Sequence, residues 1–357
     1  MQARAVYKVV VNGVDYTSRF DPVMKSITVN DADGVKSDTA QISVADPNGQ
    51  TYLPEPDAKV EIFLGHEGKG VGVVFRGKVD SVSCRGTKGG GREMNISAKG
   101  LDTKSKAKEP REVHRDNATF GDVAEQWAQD AEMGGVRIDP DLRAIRRDYW
   151  SMENESFVHW GDRIAREIGA TFRVSDNVAI FVKRNASQTS SGQDLPAIVA
   201  KWGQNLISYD VNPYDGRPQF SRTRARWYDR EQARFREEDV TIDQQTPAEQ
   251  RRRITSGSQS AARQNAGSDG QESERRKGGG SVTLLGDPQA RVESPLRIED
   301  CRPGVDGEYK ITSLTHNFSK DGGYTTRVQF GKPGKDAGTD GRRRSRRGRS
   351  SPQEFSE

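Results

Sequence analysis

From Tyr324 to Phe330 the side chains alternate: Tyr324, Thr326, Val328 and Phe330 fall on one side, Thr325, Arg327 and Gln329 on the other. Successive side chains point to opposite faces only in extended backbone, so this pattern demands a β-strand with one face turned inward. Asp321-Gly322-Gly323 ahead of it supplies a tight turn, because glycine enters the positive-φ region without a Cβ penalty. The segment before that turn, Tyr309 to Phe318, reads as the partner strand, but its apolar parity slips: Tyr309 and Ile311 are odd, Leu314 and Phe318 even. One extra residue near Thr312–Ser313, a β-bulge, accounts for the slip. Asp306-Gly307 marks a further turn just before Tyr309.

The same period recurs at the other end of the chain. Ala40, Ile42 and Val44 alternate with Gln41 and Ser43, Val60, Ile62 and Leu64 alternate with Glu61, and Met94, Ile96 and Ala98 alternate with Asn95, Ser97 and Lys99. Turn signals separate them: Asp33-Gly34, Asp46-Pro47-Asn48-Gly49 and Gly89-Gly90-Gly91. Residues 1–103 therefore read as a first β domain of short antiparallel strands, a barrel or sandwich. The period then changes. Thr119 is placed as an N-cap for Phe120, Val123, Ala124, Trp127, Ala128 and Ala131 at helical spacing, with Gly134-Gly135 as the stop. A second helix begins near Ser156, carries the stripe Phe157, Trp160, Ile164, Ala165, Ile168, and ends at Gly169. Strands follow at Ala170–Val174 and Val178–Val182, which makes 104–184 a small α/β unit.

Residues 185–198 are rich in Ser, Gln and Gly and read as a linker. A second β domain spans 199–330, with strand character at Leu206–Val211, Gln219–Tyr228 and Val282–Phe330. Within it, 247–280 has Ile254 as its one large apolar side chain, and is expected to form in part a solvated helix and in part a mobile Gly-rich stretch. Residues 331–357 read as a flexible basic tail. The expected fold class is thus mainly β with a small α/β unit: two β-barrel domains flanking a helix-containing domain.

Charge narrows the function. The formal net charge is +4, but eight basic and four acidic residues lie beyond Phe330, which leaves 48 of each sign in the body. A neutral body argues against a broad nucleic-acid-binding face. With 30% charged and 32% hydrophobic residues, the chain is expected to build small cores and much polar surface, some of it buried only in an assembly. No apolar run reaches the roughly 18 residues of a membrane helix, and Met1–Tyr16 alternates like a strand instead of carrying a signal-peptide core. Cys84 and Cys301 read as buried free thiols of a chain made in a reducing cytoplasm, with a disulfide between them as the alternative.

Motifs for chemistry are absent or broken. Gly72–Val79, GVVFRGKV, nearly matches a P-loop, but Val79 stands where Ser or Thr would bind magnesium, and the segment alternates like a strand. His66, His114, His159 and His316 are scattered without ligand spacing, and His316 is expected to pack near Tyr324. Glu153 and Glu155 evoke a glycosidase pair, but acids before a helix are expected to serve its dipole. No catalytic residue, cofactor site or metal site is assigned. Two features are candidate interaction surfaces. Arg222, Arg224 and Arg226 share a strand face, either solvated or meeting carboxylates of a neighbouring subunit or lining a channel. Arg342, Arg343, Arg344, Arg346, Arg347 and Arg349 form either a solubilising tail or a segment that binds a polyanion or acidic partner.

Pro303, Gly304, Asp306, Gly307, Thr315, His316, Gly323, Tyr324, Thr325 and Thr326 follow a pattern that resembles the C-terminal barrel of the late-control D family. These are tail hub proteins of contractile-tailed and Mu-like phages, related to the N-terminal hub part of VgrG, the type VI secretion spike protein. Asn154-Glu155-Ser156-Phe157 leading into Arg163–Phe172 is similar to a second segment of that family, in the same order along the chain. The resemblance covers most of 1–330 and rests mainly on Pro303–Phe330; the polar segment 247–280 and the arginine tail depart from it. It implies a baseplate hub of a contractile injection system: a homotrimer whose six barrels join a hexameric tail tube protein to a trimeric central spike protein. Tape measure protein and then DNA would pass through its channel, and other baseplate proteins would surround it. The expected location is the virion tail baseplate, after synthesis in the host cytoplasm. A tail-tip peptidoglycan hydrolase and a nucleic-acid-binding protein acting through the arginine tail are the alternatives.

Overall fold

The computed structural model describes residues 4–32, 38–100, 106–214, 220–229, 231–242 and 248–340. The first third forms β1 (Ala5–Val11), β2 (Val14–Asp15), the single-turn α1 (Thr17–Phe20), β3 (Met24–Ala32), β4 (Thr39–Ala45), β5 (Lys59–His66), β6 (Gly70–Thr87) and β7 (Gly91–Lys99). Next come β8 (Arg111–Thr119), α2 (Phe120–Asp130), β9 (Gly135–Ile138), α3 (Pro140–Arg143), β10 (Arg146–Glu155), α4 (Phe157–Ile168), β11 (Ala170–Ser175) and β12 (Val178–Lys183). The remainder holds β13 (Ile198–Lys201), β14 (Leu206–Asn212), β15 (Arg222–Asp229), β16 (Arg234–Thr241), β17 (Glu249–Arg251), α5 (Gln259–Arg275), β18 (Gly279–Leu285), β19 (Pro295–Glu299), β20 (Gly307–Ser319) and β21 (Gly323–Gly331).

The chain is mainly β, as the alternation demands. The strands of its two ends are not separate sheets. They form one 13-stranded sheet in the order β14-β18-β21-β20-β3-β4-β7-β6-β5-β1-β2, with β19 attached to β20 and β13 to β19. The joint is the antiparallel pairing of β3 with β20, from Ser26↔Ser319 to Ala32↔Ser313. The expected bulge is present: the β20–β21 register shifts between Ile311 and Ser313. It places Ile311 and Leu314 on one face despite their opposite parity, and both lie in a core with Tyr309, Val328, Phe330, Leu296 and Ile298. Beyond it, Phe318 and Tyr324 leave that core. They pack instead with Ile27, Val29, Ile42, Ile62, Leu64 and Ile96 of the N-terminal strands. The Tyr7 and Phe318 rings lie 4.9 Å apart, so the tip of the C-terminal hairpin is seated inside the N-terminal core.

The middle unit has its own aromatic core. Phe120, Trp127, Trp150, Phe157, Trp160, Phe172 and Phe181 are all buried in it. Three of its helix ends are those read from the sequence: the Thr119 hydroxyl accepts from the Asp122 amide, the Ser156 hydroxyl accepts from the His159 amide, and Gly169 closes α4 at φ 70°, whereas α2 stops at Asp130, ahead of the Gly134-Gly135 stop expected. β8 pairs with β10, and β11, β12 and β9 make a three-stranded sheet.

Two expectations about polar segments are corrected. The helix in the polar segment exists as α5, but it is not solvated all round: Ala262 and Ala266 bury against Ala225 of β15, with Trp227 and Val240 beside them. Small side chains allow this close approach, which a search for large apolar residues misses. The Gly-rich stretch at its end enters β18, where a Cβ on Gly280 would lie 2.1 Å from the Asp210 carbonyl oxygen. The start of the tail is also held. The Gly334 amide donates to Glu308 O, the Glu308 amide to Lys335 O and the Gly338 amide to Gly304 O. Cys84 is exposed and Cys301 half-buried, both as free thiols, in place of the buried pair expected.

Phe318 is 6% exposed and is the largest apolar group that the C-terminal hairpin places in the N-terminal core. Phe318→Ala is expected to lower the unfolding free energy by about 3–5 kcal/mol, read by urea denaturation. A loss below about 1 kcal/mol would mean that the hairpin tip does not anchor that core.

Candidate interaction surfaces and buried polar sites

Alternation on β15 sends Thr223 and Ala225 inward, both 0% exposed, and Arg222, Arg224 and Arg226 to the other face. Neighbouring strands of the same chain place carboxylates opposite them. Arg224 lies 3.4 Å from Asp239, 3.5 Å from Glu237 and 3.2 Å from Glu249. Arg222 reaches Asp239 at 3.5 Å and Glu249 at 2.5 Å. Arg226 donates to the Thr255 hydroxyl at 3.2 Å and stacks over Phe235, 4.5 Å from the ring centroid. The carboxylates that sequence reasoning sought on a neighbour are thus supplied in part from β16 and β17. Phe235 and Tyr228, 57% and 42% exposed, extend this face as an aromatic patch. The arginines Arg342, Arg343, Arg344, Arg346, Arg347 and Arg349 lie outside the described residues.

Glu293 was not singled out from the sequence. It is 2% exposed, at φ 71°, in the segment between β18 and β19. Its carboxylate accepts from Arg275 at the end of α5, from the Thr171 hydroxyl of β11 at 2.9 Å, and from the Asn185 amide at 2.9 Å. Arg275 also donates to the Asn185 side-chain oxygen at 2.9 Å. One buried ion pair therefore fastens α5, the middle unit and the second β region to each other. α5 meets the middle unit through further polar contacts: Arg147, stacked 4.8 Å from Trp150, bridges Glu167 and Gln264, and Ser268 donates to Arg166 O. A cavity of about 540 Å3 opens between α4 and α5, edged by Asp162, Arg166, Asp269 and Glu272. Burial there raises the Asp162 and Asp269 carboxyls above the usual range, partly offset by Arg166 and Arg252 respectively.

His316 packs beside Tyr324, as expected, and it does so inside a polar chain. Its Nδ1 lies 2.8 Å from the Tyr324 hydroxyl and 3.1 Å from the Thr326 hydroxyl, and the Thr326 hydroxyl accepts from the Asp287 amide at 3.0 Å. The ring is 1% exposed. Burial, with a smaller push from Arg291, lowers its pKa to about 3, so the imidazole is neutral and Nδ1 can accept from Tyr324. His66 contacts the Gly286 carbonyl at 3.0 Å. Tyr324 also demands glycine at 286, since a Cβ there would lie 2.1 Å from its ring.

The remaining residues weighed for chemistry are dispersed. Gly72–Val79 lies inside β6, paired with β5 and β7, not ahead of a helix. Glu155 is bound to Arg163, with Nε 3.1 Å from both carboxylate oxygens, and Glu153 accepts from the Ser151 hydroxyl at 3.0 Å. They are side-chain partners more than helix-dipole partners. His114 stacks on Tyr149 at 5.8 Å. Among the described residues no group of three His, Cys, Asp or Glu side chains converges as metal ligands do.

The fold is that of phage tail proteins. It superposes on the tail protein from Neisseria meningitidis MC58 with a TM-score of 0.67, 13% identity, and coverage of 92% of this chain and 96% of that one. The 43 kDa tail protein of prophage MuSo2 from Shewanella oneidensis gives 0.65 at 16% identity, over 92% and 98% of the two chains. An Escherichia coli type VI secretion component, described as structurally similar to T4 tail proteins gp27 and gp5, gives 0.54 at 12% identity over 93% and 79%. No protein-family model matches the chain. In sequence it is related to probable baseplate hub proteins of Escherichia phages P2 and 186, each at 25% identity, over 194 and 190 residues. The P2 match spans 54% of this chain and 49% of the relative, about half of that protein's length. The resemblance drawn from Pro303–Phe330 and Asn154–Phe172 therefore holds: the chain is a relative of the phage baseplate hub proteins.

Glu293→Ala removes the buried carboxylate that pairs with Arg275, and is expected to cost about 3–5 kcal/mol in denaturant unfolding. A cost under about 1 kcal/mol would show that the pair does not fasten α5. For His316, the folded pKa lies below the unfolded value near 6.5. The unfolded chain binds the extra proton between the two values, so this group's stabilisation is full above pH about 6.5 and declines as pH falls towards the folded pKa. Ring resonances of His316 are expected to stay fixed from pH 8 to pH 5 in an NMR titration; a midpoint near pH 6.5 would contradict its burial as a neutral acceptor.

Proposed function

We propose that this chain is a structural baseplate hub protein of a contractile phage tail, acting as a homotrimeric adaptor. Two similar β regions per chain would give six in a ring, so that a hexameric tail tube docks on one side and a trimeric central spike on the other. The central channel would let tape measure protein and DNA pass without specific binding. The observation that carries this reading is the combination of the sequence relationship to baseplate hub proteins with a tail-protein fold over more than nine-tenths of the chain. The two β cores, joined through β3 and β20, suit it, because they hold the two regions of one chain at a set spacing.

In this reading the virion tail baseplate is where the protein acts, and it does so through surfaces without a catalytic step of its own. The face of Arg222, Arg224 and Arg226, with Phe235 and Tyr228 at its end, is a candidate subunit interface or channel lining; its composition of Arg and aromatic side chains suits a protein contact. The arginine tail is a candidate contact for a polyanion or an acidic partner such as the tape measure protein.

Native mass measurement of the purified chain, alone and with its candidate spike protein, tests the adaptor. The expected result is a mass of three copies in at least one condition. A strict monomer in both would overturn it.

A further inference from the structure

Asp31, near the end of β3, and Asp38, just ahead of β4, meet at a corner where the N-terminal strands touch the middle unit. Backbone hydrogen bonds define the corner: the Gly100 amide donates to Asp38 O, and the Asn177 amide, in the β11–β12 turn, donates to Gly100 O. Asp31 is 7% exposed. Its Oδ1 and the Oδ1 of Asp38 are both shut off from water, and among the described residues no donor reaches either atom. The Asp38 carboxyl is within hydrogen-bonding reach of the Asp31 carboxyl and of the Ser175 hydroxyl of β11.

Two ionised carboxylates do not fit this corner. Each is an acceptor only, so both buried oxygens would stay unpartnered, with two like charges in contact away from water. Two cationic groups face the pair among the described residues, and neither donates to the buried Oδ1 atoms. Arg173 of β11 lies 3.8 Å from Asp31 Oδ2. Arg291, between β18 and β19, faces Asp31, Asp38, Arg173 and Tyr324, but its guanidinium is already given to the carbonyls of Val73, Pro288 and Ala290 at 2.8–2.9 Å. The neutral imidazole of His316 lies beyond Arg291. A single proton between the two aspartates supplies the missing donor and removes the repulsion between like charges in contact. A metal cation would have to enter beside both guanidiniums.

We propose that Asp31 and Asp38 form a proton-sharing clasp, with one carboxyl protonated at neutral pH, which seats the N-terminal strands against β11 and makes that seating pH-dependent. The direction follows from Asp38, whose carboxyl is raised well above the ordinary range, first by burial and then by the Asp31 charge. The folded protein therefore holds this proton more tightly than the unfolded chain does. Its stabilisation is full below the ordinary carboxylate pKa and is lost as pH rises through the raised folded value.

Infrared spectroscopy of the wild-type chain at neutral pH is expected to show the carbonyl stretch of a protonated carboxylic acid, and Asp38→Asn to remove it. Melting temperature followed from pH 5 to pH 9 is expected to fall more steeply in the wild type than in Asp38→Asn, with the slope at least halved by the substitution. Absence of the protonated-acid band in the wild type would overturn the clasp even if the variant fails to fold. So would parallel melting profiles, or a stabilisation by added magnesium that Asp38→Asn abolishes.

Discussion

The pairing of β3 with β20 is the interaction on which the rest of this molecule depends. It brings residues 26–32 beside residues 313–319 and turns two groups of strands into a single sheet. Without it, β3 and β20 would each present an open row of backbone donors and acceptors, and the tip of the β20–β21 hairpin would lose the core that covers Phe318 and Tyr324. Loop-closure entropy grows only slowly with chain length, so the long separation adds little cost at equilibrium. It does mean that the joint is made from strands far apart in the chain, which slows folding relative to local contacts. The middle unit is a large insertion between the joined ends, and its aromatic core is built entirely from local elements.

A second constraint is how such a polar chain closes its interior. The two β regions share an apolar joint, but α5 is fastened to its surroundings largely by polar contacts: Glu293 with Arg275, Arg147 with Gln264, Ser268 with Arg166. Buried charge pairs add little net stability over apolar packing, but breaking one is costly, so they specify geometry. Alanines and glycines of α5 then let helix and strand approach closely. The Arg222, Arg224 and Arg226 face follows the same logic, since carboxylates from two neighbouring strands hold its guanidiniums in a fixed array. An ordered array of that kind can meet a partner without first losing side-chain entropy.

Likeness to the solved tail proteins, at 13% and 16% identity, speaks for the fold alone, while the relationship to the phage hub proteins is one of sequence. The two fit together because sheet continuity constrains few residue identities. It needs alternation, a bulge at the right place and glycine where strands or rings press close. Pro303–Phe330 concentrates these requirements: the bulge between Ile311 and Ser313, and the turn at Gly323.

The sequence by itself determined the local structure. Thr119, Ser156 and Gly169 mark helix ends because capping is chemistry between residues a few positions apart, and the parity slip in Tyr309–Phe318 betrays the bulge because side chains alternate strictly on a strand. What period two tells is which face is buried, not which core receives it. Only the tertiary structure decided that Phe318 and Tyr324 belong with the N-terminal strands, whose partners lie almost three hundred residues away. The same limit applies to the surfaces and polar sites. Arg222, Arg224 and Arg226 were legible as a face, but their carboxylates come from β16 and β17. Glu293 and the Asp31–Asp38 pair carry no signal in the sequence, because it is the packing of distant segments that removes their water. Burial is a property of the assembled fold, and burial is what turns those carboxylates into a fastener and a proton-holding pair.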